Sequence, residues 1–126
     1  YENGALTLMT TTVSDFEDWR KNFYHWGRIV RHHEKVEAIV EFKDATDEIR
    51  NIKEVNPGFY CFEYSWLKKN IDKLENKNAQ QEYYITDLVQ IACSQNIEVG
   101  TISIDPREAV GINSKEELEI AESLIK

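Results

Sequence analysis

The apolar positions of this chain change their period several times, which predicts alternating strands and helices. Ala5 to Val13 (ALTLMTTTV) has the apolar and β-branched content of a buried strand. Two further strands are predicted at 27–31 and 35–42, and the short segment between them has the length of a hairpin connection. Residues 14–26 are aromatic and charged without a usable period, which predicts a loop.

The middle of the chain predicts a short helix, a strand and a longer helix. Asp44 is a candidate N-cap for a short surface helix that extends to Lys53. Residues 56–64 (NPGFYCFEY) are aromatic and β-prone, and their Pro and Gly mark the entry of the strand. Ser65 is a candidate cap for the next helix, in which apolar residues recur at spacings of four and three.

The last third of the chain continues the alternation. A helix is predicted from about Thr86 to Gln95, followed by a strand from Val99 to Ile104 (VGTISI). Val110 to Asn113 is a short extended piece, and the Ser-x-x-Glu spacing of Ser114 and Glu117 is that of a capping box for a final helix. The whole pattern predicts an α/β fold, with a mixed sheet and flanking helices.

Composition narrows the classes of function. The 126 residues fit one domain, and 15 basic against 23 acidic residues give a net charge of −8. Such a charge repels nucleic acid and anionic membrane surfaces, so neither is an expected partner. No apolar run approaches the ~20 residues of a membrane span, and no signal segment opens the chain. A cytoplasmic location is expected.

The cysteines and the first residue add two expectations. Cys61 and Cys93 have no second cysteine nearby with which to form a zinc or redox pair, so we expect two reduced, buried thiols, with a disulfide left open. The chain begins at Tyr1 without an initiator Met, a few residues before a core strand. We therefore expect it to be a piece of a longer protein.

Individual polar residues each allow two interpretations. Glu41 ends an apolar strand, where a carboxylate can accept hydrogen bonds from two sugar hydroxyls or form a salt bridge with Lys43. Asn113 is either a turn residue or a neutral oxygen ligand for a hard cation such as Mg²⁺. Thr86 starts a helix, and the free N–H groups of its first turn either bind an anion or donate to an ordinary N-cap. The residues alone favour the structural alternative at the first two positions.

Read in order, five segments resemble the later part of a bacterial N-acetylglucosamine-1-phosphate uridyltransferase (UDP-N-acetylglucosamine pyrophosphorylase) domain. These segments are WGRIVR at 26–31, VEFKDATDE at 40–48, KEVNPG at 53–58, NAQQEYYITD at 78–87 and VGIN at 110–113. The similarity runs from about Gly27 to the end of the chain. It implies the second, C-terminal half of a Rossmann-like nucleotide-diphospho-sugar transferase domain.

The resemblance also implies a set of site residues. Gly27 would contact the bound sugar nucleotide through its backbone, Glu41 would bind the sugar hydroxyls, and Asn56 would make a polar contact to the same sugar. Asn113 would contact the nucleotide sugar and help to hold Mg²⁺. The neighbours at the phosphate and sugar end would be Tyr84 and Thr86.

The sequence departs from the family pattern at several places. Trp26 stands where the family has Tyr, Pro57 where it has Thr, and Gln81 where it has Gly, and the loop at 14–25 is longer. The family's Gly-rich loop ending in Thr-Arg-Met, its Lys and metal-binding Asp, and its hexapeptide-repeat β-helix have no counterpart in the sequence. Residues 1–126 are therefore expected to be the sugar-binding half alone, with the N-terminal nucleotide-binding half absent.

Two functions follow from this. The first is the sugar side of an enzyme that makes UDP-N-acetylglucosamine from UTP and N-acetylglucosamine 1-phosphate, inactive as an isolated chain and dependent on Mg²⁺ only together with the missing half. The alternative is a non-catalytic sugar-binding or interaction module derived from that fold. A cut sheet has unpaired edges, so a homo-oligomer or a complex with an N-terminal half is expected.

Overall fold

The computed structural model describes residues 4–125, whose strands form one mixed sheet of six. The strands are β1 Leu6–Thr12, β2 Arg28–His32, β3 Lys35–Val40, β4 Glu54–Val55, β5 Tyr60–Phe62 and β6 Gly100–Ser103. β1 is central: it runs antiparallel to β4 and β5 and parallel to β6. β2 pairs with β3 as a hairpin and with β4 through Arg28 and Val55. The predicted α/β class is confirmed.

Helices of modest length connect and flank these strands. They are α1 Asp47–Arg50, α2 Tyr64–Asn70, α3 Asp87–Ser94 and α4 Lys115–Ile125. Short 3-10 helices lie at Asp18–Phe23, Phe42–Asp44, Ile71–Lys73 and Pro106–Glu108. The first of these lies in the segment predicted to be a loop, and the third ends the helical spacing predicted after Ser65.

Two of the predicted helix caps are wrong, and the third is confirmed in part. Thr46, not Asp44, caps α1, since its hydroxyl accepts a hydrogen bond from the N–H of Ile49 at 3.3 Å. Glu63, not Ser65, caps α2 through its carboxylate. In each case the predicted cap lies inside a helical segment, Asp44 in the 3-10 turn Phe42–Asp44 and Ser65 in α2, whereas Thr46 and Glu63 have the extended backbone of a cap. At α4, the hydroxyl of Ser114 accepts a hydrogen bond from the N–H of Glu117 at 3.2 Å, as predicted. The carboxylate of Glu117 accepts from the N–H of Asn113, whereas a capping box would have it accept from the N–H of Ser114.

The strand predicted at 56–64 forms only in part, since β5 covers Tyr60–Phe62 and α2 already begins at Tyr64. β4 and β5 are separated by a turn in which Gly58 has φ of +89° and its N–H donates to the side chain of Asn56 at 3.0 Å. The expected extended piece at 110–113 forms no strand. Cys61 is exposed rather than buried, because β5 alternates its side chains and this one lies on the uncovered face of the sheet, whereas Cys93 is half-buried; both thiols are free.

The main hydrophobic core joins β1, the hairpin and α3. Its buried residues are Leu6, Leu8, Ile29, Val36, Ile39, Val89, Ala92 and Val99. A second cluster lies under the aromatic loop and contains Val13, Phe23, Val55 and Ala109, with Trp19 and Trp26 packed against it. The two clusters adjoin at the start of β2, which is where Gly27 lies.

A fully buried arginine ties the aromatic loop to the sheet. The guanidinium of Arg28 donates to the carbonyl oxygens of Tyr24 at 2.8 Å, of Arg50 at 3.0 Å and of Trp26. It also lies 4.6 Å from the ring centre of Phe16. Burial lowers the pKa of Arg28 from its usual value. This one side chain therefore fixes both the loop that precedes Gly27 and the carboxyl end of α1.

Candidate functional site

The end of β3 and the start of α3 bring a carboxylate and a hydroxyl together. The hydroxyl of Thr86 donates to Oε1 of Glu41 at 3.2 Å, and Thr86 is only 4% exposed. Residue 86 lies directly before α3, so its position is set by the packing of that helix on the main core. Two of the residues implied by the family resemblance therefore meet across 45 residues of sequence.

Gly27 forms the wall next to this pair. A Cβ atom at residue 27 would lie 3.2 Å from Cγ2 of Ile39 and 3.4 Å from Oε2 of Glu41. Such contacts are tight, so glycine permits the close approach of the two strands at this point. The carbonyl oxygen of Gly27 accepts a hydrogen bond from the N–H of Asn56 at 2.9 Å. Gly27, Glu41, Asn56 and Thr86 thus adjoin one another.

Tyr60 is a residue of this site that the sequence analysis missed. Its hydroxyl lies 2.6 Å from Nδ2 of Asn56, which donates to it. Burial raises the pKa of Tyr60, the hydrogen bond from Asn56 lowers it, and the negative charge of the nearby Glu41 raises it. The turn at 57–58 brings residue 60 back toward residue 56, and its Pro-Gly sequence was the available signal.

The electrostatics of the site are set by acidic groups. Burial raises the pKa of Glu41, the hydrogen bond from Thr86 opposes this rise, and the nearby charges of Asp44 and Asp87 add to it. Burial also raises the pKa of Asp87, with a contribution from Asp44. A cavity of about 520 Å³ opens beside these carboxylates, with Tyr84 in its wall. A neutral, hydroxyl-rich ligand suits these acceptors better than a bare anion does.

Asn113 has hydrogen-bond partners of its own. Its backbone N–H donates to the carboxylate of Glu117, and a Cβ atom at residue 111 would lie 4.0 Å from the side-chain nitrogen of Asn113 and 3.9 Å from the ring of Trp26. Within residues 4–125, no hydrogen bond joins Asn113 to Glu41, Asn56 or Thr86. No cluster of three or more His, Cys, Asp or Glu residues in this range could hold a metal ion.

The turn before α3 contains a strained residue. Gln81, which stands where the family pattern has Gly, adopts φ of +55°. Asn78 organises this turn, since its side-chain oxygen lies 3.2 Å from the N–H groups of Gln80 and Glu82, which donate to it. The position requires the left-handed backbone that glycine adopts most readily.

We expect Gln81→Gly to stabilise the protein by up to about 1 kcal/mol, because relief of the left-handed strain exceeds the added flexibility of the unfolded chain. The measurement is the free energy of unfolding in urea. Gln90→Gly is the matched control: residue 90 is exposed in the interior of α3, where glycine costs about 1 kcal/mol. A loss of stability in both variants would contradict the strain at residue 81.

Comparisons with known proteins show what this chain is similar to. The chain is 39% identical over 125 residues to the bifunctional protein GlmU of Clostridium perfringens, which covers 99% of this chain and 26% of that protein. It is 42% identical over 127 residues to the bifunctional protein GlmU of Caldicellulosiruptor saccharolyticus, with 99% and 26% covered. No protein-family model matches the chain. None of the helices between residues 4 and 125 has the length and apolar character to cross a membrane.

A solved structure shares the architecture. The nucleoside-diphosphate-sugar pyrophosphorylase from Vibrio cholerae RC9 superposes with a TM-score of 0.63 at 14% identity, over 96% of this chain and 48% of that one. At this identity the match supports the fold alone. Together with the sequence matches it confirms the resemblance: nearly the whole chain is related to the bacterial GlmU proteins, and it spans about a quarter of their length.

Proposed function

We propose that this chain is the sugar-binding half of a nucleotidyltransferase domain that makes UDP-N-acetylglucosamine from UTP and N-acetylglucosamine 1-phosphate. The observation that carries the proposal is the meeting of Glu41, Thr86, Asn56 and the backbone of Gly27 at one point. A pyranose is recognised by several converging neutral and acidic groups, and these residues supply carboxylate, hydroxyl, amide and backbone groups. The relatedness to GlmU supports the choice of sugar.

In this proposal each residue has a distinct part. The carboxylate of Glu41 accepts hydrogen bonds from sugar hydroxyls, and the hydroxyl of Thr86 orients that carboxylate. Asn56 contacts the same sugar, with its amide oriented by Tyr60. Mg²⁺ would stabilise charge on the phosphates when bound, and Asn113 would supply one ligand, with the others coming from outside the described residues. We place the protein in the cytoplasm, where nucleotide sugars are made.

The test is pyrophosphate release from UTP and N-acetylglucosamine 1-phosphate. We expect no release by the chain alone, because positioning and charge stabilisation of the nucleotide would come from the other half. Release is expected when the chain is joined to the remaining part of the pyrophosphorylase domain of the Clostridium perfringens relative. The same fusion with Glu41→Ala is the control for site occupancy. A fusion that folds but releases no pyrophosphate would overturn the proposal.

The alternative, a non-catalytic sugar-binding module, is favoured by the strained Gln81 at the turn before Thr86. This alternative predicts that the protein binds N-acetylglucosamine 1-phosphate but does not catalyse the release of pyrophosphate. The discriminating result is a fusion that binds N-acetylglucosamine 1-phosphate by calorimetry but releases no pyrophosphate, whereas release at any Mg²⁺ concentration would exclude the module.

We also propose that the exposed side of the sheet is an assembly surface. Ile102 pairs with Met9, and Cys61 pairs with Thr7, so all four side chains lie on one face. Phe59, at the entry of β5, is 54% exposed and Ile102 is 51% exposed. Apolar side chains beside an unpaired strand edge favour association with another chain.

We expect the isolated chain to form dimers, and we expect this association to disappear when it is fused to an N-terminal half. The measurement is sedimentation velocity at increasing concentration. Ile102→Lys should weaken the dimer, while Ile125→Lys, at an exposed position in α4 and not in the sheet, should leave it intact. A monomer at the highest concentration would argue against the assembly surface.

A further inference from the structure

Two turns that are distant in sequence meet beside the sugar site. Glu41 follows β3 directly and precedes the 3-10 turn Phe42–Asp44, in which the N–H of Asp44 donates to the carbonyl oxygen of Glu41 at 3.0 Å. The second turn begins at Asn78. Oδ1 of Asp44 accepts a hydrogen bond from the N–H of Ala79 at 2.7 Å, and this bond joins the two turns across 35 residues.

The segment that Asp44 anchors carries two groups of the site. Tyr84 and Thr86 follow Ala79 within seven residues, and Thr86 donates to Glu41. The hydroxyl of Tyr84 accepts a hydrogen bond from Nε2 of Gln80 at 2.8 Å. Tyr84, Asp44 and Glu41 line the same cavity. Burial raises the pKa of Tyr84, the hydrogen bond from Gln80 lowers it, and the carboxylates of Asp44 and Glu41 raise it.

The charge of Asp44 works against the site. Its negative charge contributes to the raised pKa of Glu41 and thus disfavours the ionised form that accepts hydrogen bonds from a sugar. A carboxylate at residue 44 therefore has an electrostatic cost. The hydrogen bond to Ala79 is the contribution that offsets this cost, since a charged acceptor strengthens such a bond.

We propose that Asp44 is a positioning residue, whose carboxylate holds the turn at 78–82 against the turn after Glu41 and thereby sets Thr86 and Tyr84 relative to Glu41. Its effect on a sugar rests on the proposed function, whereas its effect on the two turns does not. Asp44 need not touch the ligand. The sugar site would then depend on the hydrogen bond that Asp44, in the wall of the cavity, accepts from a backbone N–H.

Two substitutions separate the hydrogen bond from the charge. Asp44→Ala removes both, whereas Asp44→Asn removes the charge and keeps an oxygen that can accept from Ala79. Glu48→Ala is the matched control, because Glu48 is an exposed carboxylate in the next helix. Asp44 is itself exposed, so all three variants are expected to fold.

The first readout is the NMR spectrum of the isotope-labelled 126-residue chain without ligand. In Asp44→Ala we expect hydrogen exchange at the Ala79 amide to accelerate at least about tenfold, with shifts of the Tyr84 and Thr86 resonances, since a broken hydrogen bond exposes that amide to solvent. In Asp44→Asn the exchange rate and these resonances should stay close to those of the wild type. Glu48→Ala should leave them unchanged.

The second readout is the affinity for N-acetylglucosamine 1-phosphate, titrated into the same samples. Asp44→Ala should raise Kd roughly tenfold and Asp44→Asn by less than about twofold, which corresponds to the loss and retention of one hydrogen bond. If Asp44→Asn is as impaired as Asp44→Ala in both readouts, the effect is one of charge and the proposal is wrong. Unchanged Ala79, Tyr84 and Thr86 signals in Asp44→Ala would also overturn it.

The two readouts keep this inference distinct from the proposed function. If the wild-type chain does not bind the sugar phosphate while Asp44→Ala alone disturbs the turn, the sugar site is wrong and the role of Asp44 in the turn stands. If the wild type binds and Asp44→Ala leaves the turn unchanged, the sugar site stands and the role of Asp44 is rejected.

Discussion

Replacing Arg28 with methionine should destabilise the protein by roughly 3 kcal/mol or more, the largest effect on stability that we expect from a single substitution. Methionine fills much of the same volume but offers no donor. The carbonyl oxygens of Tyr24, Trp26 and Arg50 would then lose their partner in a buried region. Each buried polar group left without a hydrogen bond costs about 1–3 kcal/mol, so even partial relaxation leaves a large loss.

Urea unfolding with a constant m-value measures this effect. Arg28→Lys keeps the charge with fewer donors in a different geometry, and we expect an intermediate loss. Arg107→Met is the control, because Arg107 is exposed and pairs only with the neighbouring Asp105, so its removal should change stability little. An unfolding midpoint of Arg28→Met equal to that of the wild type would show that the loop does not depend on this side chain.

Replacing Glu41 with alanine should lower kcat/KM for the sugar phosphate roughly ten- to hundredfold in the fused enzyme described above. The reason is that hydrogen bonds to a charged group contribute about 1.5–3 kcal/mol, and those from the sugar to Glu41 form before transfer. KM should therefore change more than kcat. Glu37→Ala is the control, since Glu37 is exposed on the same strand. Kinetics within about twofold of the wild type at Glu41→Ala would exclude Glu41 from the site.

The same residue predicts a pH dependence. The pKa of Glu41 is raised in the fold, so its ionised form is disfavoured and sugar affinity should decline, as pH falls, at a higher pH than for an ordinary glutamate. A fall in pH has the opposite effect on the free energy of unfolding, which it increases. The folded state binds this proton more tightly than the unfolded state, so ionised Glu41 destabilises the fold at neutral pH and the penalty disappears as pH falls through its folded pKa.

Glu41→Gln should accordingly be more stable than the wild type at pH 7 and should lose this advantage below the ordinary carboxyl range, around pH 4. Thermal unfolding across this interval tests the sign. A glutamine variant that is less stable than the wild type at pH 7 would mean that the hydrogen bond from Thr86 outweighs the burial of the charge.

The sequence by itself determined the kinds of elements and most of their order. Apolar and β-branched content located β1 and β6, whereas the spacing of buried residues along β3 and α3 follows the period of a strand and of a helix. The family segments pointed to Gly27, Glu41, Asn56 and Thr86 together. Spacing alone carried no information on their proximity.

Tertiary structure decided which of the local alternatives formed. Several residues near 44 and 65 can cap a helix, but Asp44 lies in a 3-10 turn and Ser65 inside α2, so Thr46 and Glu63, which have extended backbone, form the caps. The extent of the strand predicted at 56–64 depends on pairing with β1, which no local window contains. Whether Cys61 in β5 is exposed depends on which face of the sheet is covered by other elements.

The site depends on long-range contacts for the same reason. Tyr60 joined it through a turn, and Asp44, expected to be a helix cap, instead bonds to Ala79 across 35 residues. Arg28 would be read from sequence as a surface cation at a strand start, yet it is buried because backbone carbonyls from two other segments satisfy it. A sequence pattern records the period of a segment, whereas hydrogen bonding between distant segments determines which polar residues can be buried and what they hold in place.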